Sequence, residues 1–263
     1  MYHPRWGTRG VWMCVLLLGL TQLLGCGSGG GSGRRIVVTS LADEPLPGRA
    51  GLTLRAALDQ AEPTDTIVFD RSLNGGTIDL TIVGEEHTKL LGEVYAGNAF
   101  SGYEERDYGP SALYARKDVT MDASDLPDGI ALRWAGGDAL KARVMAVFGD
   151  LTMRNVTVMG GHSEAVPIAG GTQPYPLARG GGLAVWGVAK LQRCAVIGNR
   201  CTGETGASRD SGSYGGGIYA NGLDLADTVV SGNAVIGYGA AGGGIYSVGG
   251  ADRAGGIGND TKL

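Results

Sequence analysis

Phenylalanine is scarce in this chain, with three in 263 residues, and histidine (three), proline (nine) and cysteine (four) are nearly as rare. Each shortage excludes something. The few histidines and cysteines form no paired ligand set, so a structural zinc site is excluded. Nine prolines, beside glycines that cluster instead of recurring every third residue, exclude a collagen-like helix. Basic residues are not in excess: the formal charge is −4, which leaves no cationic stripe for phosphates and excludes nucleic acid as a partner. The motifs of strong chemistry are missing as well, with no nucleophile elbow, P-loop, zinc helix or EF-hand loop. Glycine, in contrast, is abundant. Forty-nine glycines accompany 43% apolar and only 18% charged residues, so the chain is too hydrophobic to be disordered and too rich in glycine to be an average globular protein. Short strands joined by tight turns fit this composition, and the length allows one large domain or two small ones.

The first residues read as an address. Arg5 and Arg9 precede an apolar run from Val11 to Leu24, and small residues follow in LLGCGSGGGSG, the layout of a secretory signal. The run is shorter than the about 20 residues a permanent membrane helix needs. LLGC resembles the bacterial lipobox, with Leu24 where a small residue is usual. That resemblance implies a signal peptide over residues 1–25, lipid attachment at Cys26, and a protein held by its acyl chains at the bacterial outer membrane or cell surface. The alternative is ordinary cleavage between Gly27 and Ser32. Residues 26–33 are a flexible Gly/Ser spacer in either case. The remaining cysteines, Cys194 and Cys201 in CAVIGNRC, have two readings in an exported protein: a disulfide across a turn, or two small buried hydrophobes.

After the spacer, RIVVTSL and DTIVFD alternate as strands do. Between them TLRAALDQAE sets Leu54, Ala57, Leu58 and Ala61 on one helical face, with Thr53 as N-cap and Pro63 beyond the end. This strand–helix–strand unit resembles the CSLREA-type N-terminal region of bacterial β-helix surface proteins, with Ala56 where that region commonly has Glu. Such a helix closes the apolar end of a solenoid, with Leu54 and Leu58 as its plugs.

Downstream the chain repeats itself. RGGGLAVWG, YGGGIYANG and GGGIYSVGG recur at similar but unequal intervals, and LTMRNVTVMGG, KLQRCAVIGNR and DLADTVVSGNA align with one another. In this alignment Met153, Leu191 and Leu225 share a place, as do Val156, Cys194 and Thr228, then Val158, Val196 and Val230, then Gly160, Gly198 and Gly232. Each line reads as an alternating strand ending in a Gly or Gly-Asn turn. The glycine triplets mark corners that need positive φ or close stacking on the next coil. The pattern resembles right-handed parallel β-helix proteins, including the polymorphic outer-membrane protein repeats, whose GGA(I/L/V) element GGGL and GGGI match without the F-x-x-N partner. The fold expected over residues 34–263 is therefore all-β, a right-handed parallel β-helix with a short N-terminal capping helix. TIDLTIVG, DVTMDAS, IALRWAGG and RVMAVFG supply earlier rungs. Residues 85–117 and 161–180 read as excursions, the places where function sits on a regular scaffold. The last triplet opens a coil that receives no further apolar strand. The expectation is an unpaired end, from a truncated parent or as an edge that pairs with another chain.

The expected role is a non-catalytic adhesion module binding a glycan or a protein, without cofactor. The rival is a polysaccharide lyase or glycoside hydrolase. Lyases of this architecture, which the chain resembles, hold calcium on stacked acids and use Arg or Lys as base, so calcium enters only under this rival. Asp122, Asp125 and Asp128, with Asp150 and Arg154 on a nearby strand, are its nearest candidates, and Asp122 with Asp150 the candidate carboxylate pair. The commoner reading of those aspartates is turn capping. His162 is a candidate base or a plain loop histidine, and Trp186 a sugar platform or a wall aromatic.

Overall fold

Each short run of alternating apolar and polar residues forms a strand that pairs with its counterpart one coil later. The computed structural model, which describes residues 33–45, 51–96, 99–137, 139–165, 177–203, 212–237, 239–249, 255–257 and 261–262, is a parallel β-solenoid of about five turns. Two of its walls belong to one ten-stranded sheet. The first wall stacks Ser111–Ala115, Arg143–Val147, the start of Leu183–Gln192, the start of Ile218–Ala226, and Ile245–Ser247. The second stacks Arg35–Val38, Thr66–Phe69, Val119–Asp122, Leu151–Arg154 and the far halves of the two long strands. A third wall holds Thr77–Leu80, Ile130–Trp134, Val156–Met159, Ala195–Ile197 and Val229–Ser231. His162–Glu164, Arg200–Thr202 and Ala234–Ile236 make a smaller sheet beside it.

Register is what makes this a core. Val158 pairs with Val196 and Val196 with Val230, all three fully buried, and Met121, Met153 and Leu191 follow one another in the same way, with Leu225, partly buried, after them. Each large apolar side chain buried like this contributes about 1.5–3 kcal/mol. Coil length varies while register holds. Corresponding residues are separated by 32 positions at Asp118 and Asp150, 38 at Asp150 and Val188, and 34 at Cys194 and Thr228. Insertions are absorbed in the loops between walls.

The aligned lines are not single strands. Each breaks at one left-handed residue, Asn155 (φ 56°), Arg193 (φ 53°) or Asp227 (φ 49°), and the chain passes from the second wall to the third. The one extra residue turns the corner and shifts the inward–outward parity, so buried positions run Leu151, Met153 and then Val156, Val158; an interruption this short leaves the two strands looking like one line in the sequence. The next corner is the expected one: Gly160, Gly198 and Gly232 all have positive φ. In the triplets both expected reasons for glycine operate at different places. Gly180, Gly215 and Gly242 take positive φ, while a Cβ on Gly181 would stand 2.3 Å from the Gly216 carbonyl oxygen of the next coil.

The helix Leu54–Gln60 starts at Thr53, whose hydroxyl accepts the Ala56 amide. It buries Leu54, Ala57 and Leu58 in the same core as Val38, Ile67 and Leu113, so it does close the stack. Among the described residues no helix is long and apolar enough to cross a membrane.

Three expectations change. The first excursion is an antiparallel hairpin, Lys89–Ala96 with Ala99–Asp107, and the chain is back in the first wall by Ser111. In the second, His162–Glu164 and Ala178–Arg179 are rungs of the stack, and residues 166–176 lie outside the described residues. The end of the stack is covered in part: Gly255–Ile257 pairs antiparallel with Ile245–Ser247, and Thr261–Lys262 with Val229–Ser231, satisfying some of the edge groups that the expectation left unpaired. Among the described residues, Ala234–Ile236 and the second-wall part of Ile218–Ala226 keep outer edges without a strand partner. The leader, Cys26 and the spacer up to Ser32 lie outside the described residues.

Candidate binding faces

Parallel register sets the outward residue of one coil over that of the next, about 4.8 Å away. On the second wall this gives a row Thr120, Thr152, Lys190, Asp224 and a row Asp122, Arg154, Gln192, Ala226. A groove of about 340 Å³ runs past Arg154, Lys190 and Asp224. Asp122 accepts from Arg154 Nη1 at 3.3 Å, from the Ser124 amide at 2.9 Å, and from the Ser124 hydroxyl. Burial works to raise its pKa, but the two Ser124 bonds and Arg154 outweigh it and hold the carboxyl below its ordinary range. Asp122 is thus a fixed anion and a poor proton donor near neutral pH.

The other aspartates do not join it. Asp150 sits at the opposite end of its strand, roughly 13 Å along from the level of Asp122 at about 3.3 Å per residue. There it builds a corner: Asp118 Oδ1 accepts the Asp150 amide at 2.9 Å, and Asp150 Oδ1 accepts the Val188 amide at 2.8 Å. The proposed Asp122–Asp150 pair therefore fails the separation of about 5–10 Å that glycosidase carboxylates need. Asp125 meets Arg35 at 3.2 Å with both side chains largely exposed, and Asp128 exchanges hydrogen bonds with Asn74. No group of three or more His, Cys, Asp or Glu side chains gathers among the described residues, and the acids of the groove stand singly next to cations. The donor set for calcium under the lyase rival is not assembled there.

The first wall carries a different surface. Its outward row runs Tyr114, Ala146, Ala184, Tyr219, Tyr246, and Phe148 and Trp186 follow the strand positions beside it. Phe148 and Trp186 stack at 4.3 Å with planes 3° apart, Tyr219 and Tyr246 at 5.9 Å and 7°, and Tyr114 meets Phe148 edge-on at 5.6 Å. Arg179 lies 4.4 Å over the Tyr219 ring and 5.1 Å over Tyr108; Arg116 lies 5.6 Å from both Tyr114 and Phe148. Tyr114, Phe148, Trp186 and Tyr246 are partly exposed, whereas Ala146 and Ala184 are fully buried despite their outward places. The rings form a layer over the wall. Burial pushes the Tyr219 phenol up, partly offset by Arg179, so it stays a neutral hydroxyl.

His162 pairs in register with Arg200, and its Nε2 lies 2.9 Å from Thr202 Oγ1. Cys194 and Cys201 are buried free thiols in different clusters, Cys194 in the main core and Cys201 with Ala165 and Ala178. No bond joins them, and burial pushes the Cys201 thiol up to about 12.

Two groups escaped the sequence reading. Arg143 is fully buried, and its guanidinium donates to Thr88 Oγ1 (3.0 Å), Ser111 Oγ (2.9 Å), Ser163 Oγ (2.9 Å) and the carbonyls of Tyr108 and Arg179. It ties the base of the hairpin to the stack. Burial draws its pKa down to about 10, with Cys201 and Asp107 opposing, so it remains charged. The signal was present: Arg143 shares strand parity with the buried Met145 and Val147. The other group is Asn199 and Asn233, both 1% exposed and turned inward after the corner glycines. The repeated Gly-Asn marked these corners as turns but not the inward ladder.

The chain matches no protein-family model, no curated protein and no solved structure, so its architecture rests on its own geometry.

Proposed function

We propose that the chain is an exported, lipid-anchored β-solenoid acting at the cell surface as a non-catalytic module that binds a glycan or a protein. The observation that carries this reading is the ring layer of Tyr114, Phe148, Trp186, Tyr219 and Tyr246 with Arg116 and Arg179 upon it. Trp, Tyr and Arg are the residues that dominate binding hot spots. Rings already held by stacking lose little freedom when a partner arrives. The charged, apolar and small-residue sequence of the leader, ending at Cys26, supports export and anchoring.

The test is a screen of the purified full chain against arrayed glycans and surface proteins, repeated with Trp186→Leu and Arg116→Ala. The reading expects a saturable ligand whose affinity falls about tenfold or more in each variant while the melting temperature holds. A ligand bound equally well by both variants contradicts it.

A second reading, a polysaccharide lyase or hydrolase, is favoured by the Asp122, Arg154, Lys190 and Asp224 face with its groove. Release of reducing ends or 4,5-unsaturated products, lost in Arg154→Ala, would replace the first reading with this one.

A further inference from the structure

Away from both faces, a cavity of about 500 Å³ opens at the corner between the third wall and the small sheet. Its floor is bare backbone at Gly160 and Gly198, which adopt positive φ, and a Cβ on Gly198 would meet nothing within 4 Å. One side is Trp134, buried and fixed by its Nε1 donating to the Leu140 carbonyl at 3.0 Å. The remaining side chains are Lys141, His162 and Arg200, and no carboxylate lines the cavity among the described residues.

These three basic groups come from successive coils. His162 and Arg200 are register partners, about 4.8 Å apart across the parallel pair. Lys141 precedes Ala142, whose carbonyl accepts the His162 amide at 2.8 Å. Among the described residues Lys141 is paired to Glu164 at 2.6 Å, with the carboxylate side chain 40% and the lysine 34% exposed. An ion pair so open to water is weak, so Lys141 gives it up readily for a better acceptor. Among the described residues Lys141 and Arg200 outnumber the one acid, Glu164, without counting His162. The rigid Trp134 wall keeps water from one side and strengthens the field.

We infer that this corner binds an oxyanion, the carboxylate or phosphate group of a ligand, between Lys141, Arg200 and His162. The cationic row ends there, because the next register partner of Arg200 is Ala234. The site is independent of the ring layer, and neither needs the other.

The experiment titrates the purified full chain with inorganic phosphate, with glucuronate and with glucose, following binding by thermophoresis. At least one of the two anions binds saturably and glucose does not; the tighter anion identifies the group. Arg200→Gln and Lys141→Gln each weaken that anion about tenfold, the loss expected for a charge-assisted hydrogen bond, and Lys141→Arg retains it. Arg35→Gln, an exposed arginine at the far end of the stack, leaves it unchanged. In the wild-type chain, the amide resonances of His162 and Arg200 shift on anion addition, a readout that does not depend on any variant folding. Binding of neither anion, equal binding in both Gln variants, or shifts confined to other residues overturns the inference while leaving the surface-module reading to its own test.

Discussion

Asn233 Oδ1 lies 2.9 Å from the backbone nitrogen of Asn199 and 3.0 Å from its Nδ2, and Asn233 Nδ2 in turn donates to the Val196 carbonyl at 2.8 Å. One coil earlier, Asn199 Oδ1 accepts the Gly161 amide at 2.9 Å. The two side chains form a polar ladder inside the corner, each satisfying backbone groups that the turn would leave buried and unpaired. Replacing Asn199 by Leu keeps its bulk and strands the Gly161 amide, the Val158 carbonyl and part of Asn233. Each stranded group costs about 1–3 kcal/mol. Urea unfolding of Asn199→Leu is expected to show a loss of about 3 kcal/mol or more.

Arg143→Met tests the buried clamp. Met fills the space of the side chain's stem but leaves the Thr88, Ser111 and Ser163 hydroxyls and the Tyr108 carbonyl without their donor. A loss of about 3 kcal/mol or more is expected, with hydrogen exchange rising first in the hairpin Lys89–Ala96 and Ala99–Asp107 that the clamp holds.

Acid acts on the other end of the stack. The Arg34 guanidinium and the Glu62 amide hold the Asp65 carboxyl well below its ordinary value of 3.8. A group whose pKa is depressed by folding contributes stability above its unfolded value and loses it as pH falls through the folded one. Stability is therefore expected to decline from about pH 4 downward. Asp65→Asn removes part of that decline, making the acid limb shallower while lowering stability at pH 7. An identical acid limb in Asp65→Asn contradicts the assignment.

The thiols offer a chemical test of burial. Cys201 is fully buried with its pKa pushed up to about 12, and burial also raises Cys194. Only thiolates react rapidly with iodoacetamide, so both residues are expected to stay unmodified in the native protein and to be alkylated on unfolding, with or without prior reduction. Alkylation that requires prior reduction would mean a Cys194–Cys201 disulfide.

Much of the architecture was legible because a solenoid writes its register into the sequence. Val158, Val196 and Val230, the corner glycines after them, and the Leu54–Leu58 face of the cap all sit where alternation and helical spacing put them. What stayed hidden has physical reasons. Asn155, Arg193 and Asp227 each turn the chain within a single residue, an interruption too short to separate the two strands it joins. The return strands Gly255–Ile257 and Thr261–Lys262 are too short and too poor in apolar residues to show a period. The ring layer was half visible, since Trp186, Tyr219 and Tyr246 each follow a triplet; the partners Tyr114 and Phe148 come from coils without one. The cavity of Lys141, His162 and Arg200 takes one residue from each of three coils and leaves no local motif at all.

The stacking of Val158, Val196 and Val230 carries the rest. An isotope-edited nuclear Overhauser experiment on the full chain measures it directly, through amide and α-proton cross-peaks between Val158 and Val196 and between Val196 and Val230. The parallel solenoid predicts both sets, linking residues far apart in sequence, together with Thr157–Ala195 and Ala195–Val229 contacts in the same register. Cross-peaks that instead join each valine only to strands next to it in sequence, as hairpins would, contradict the account.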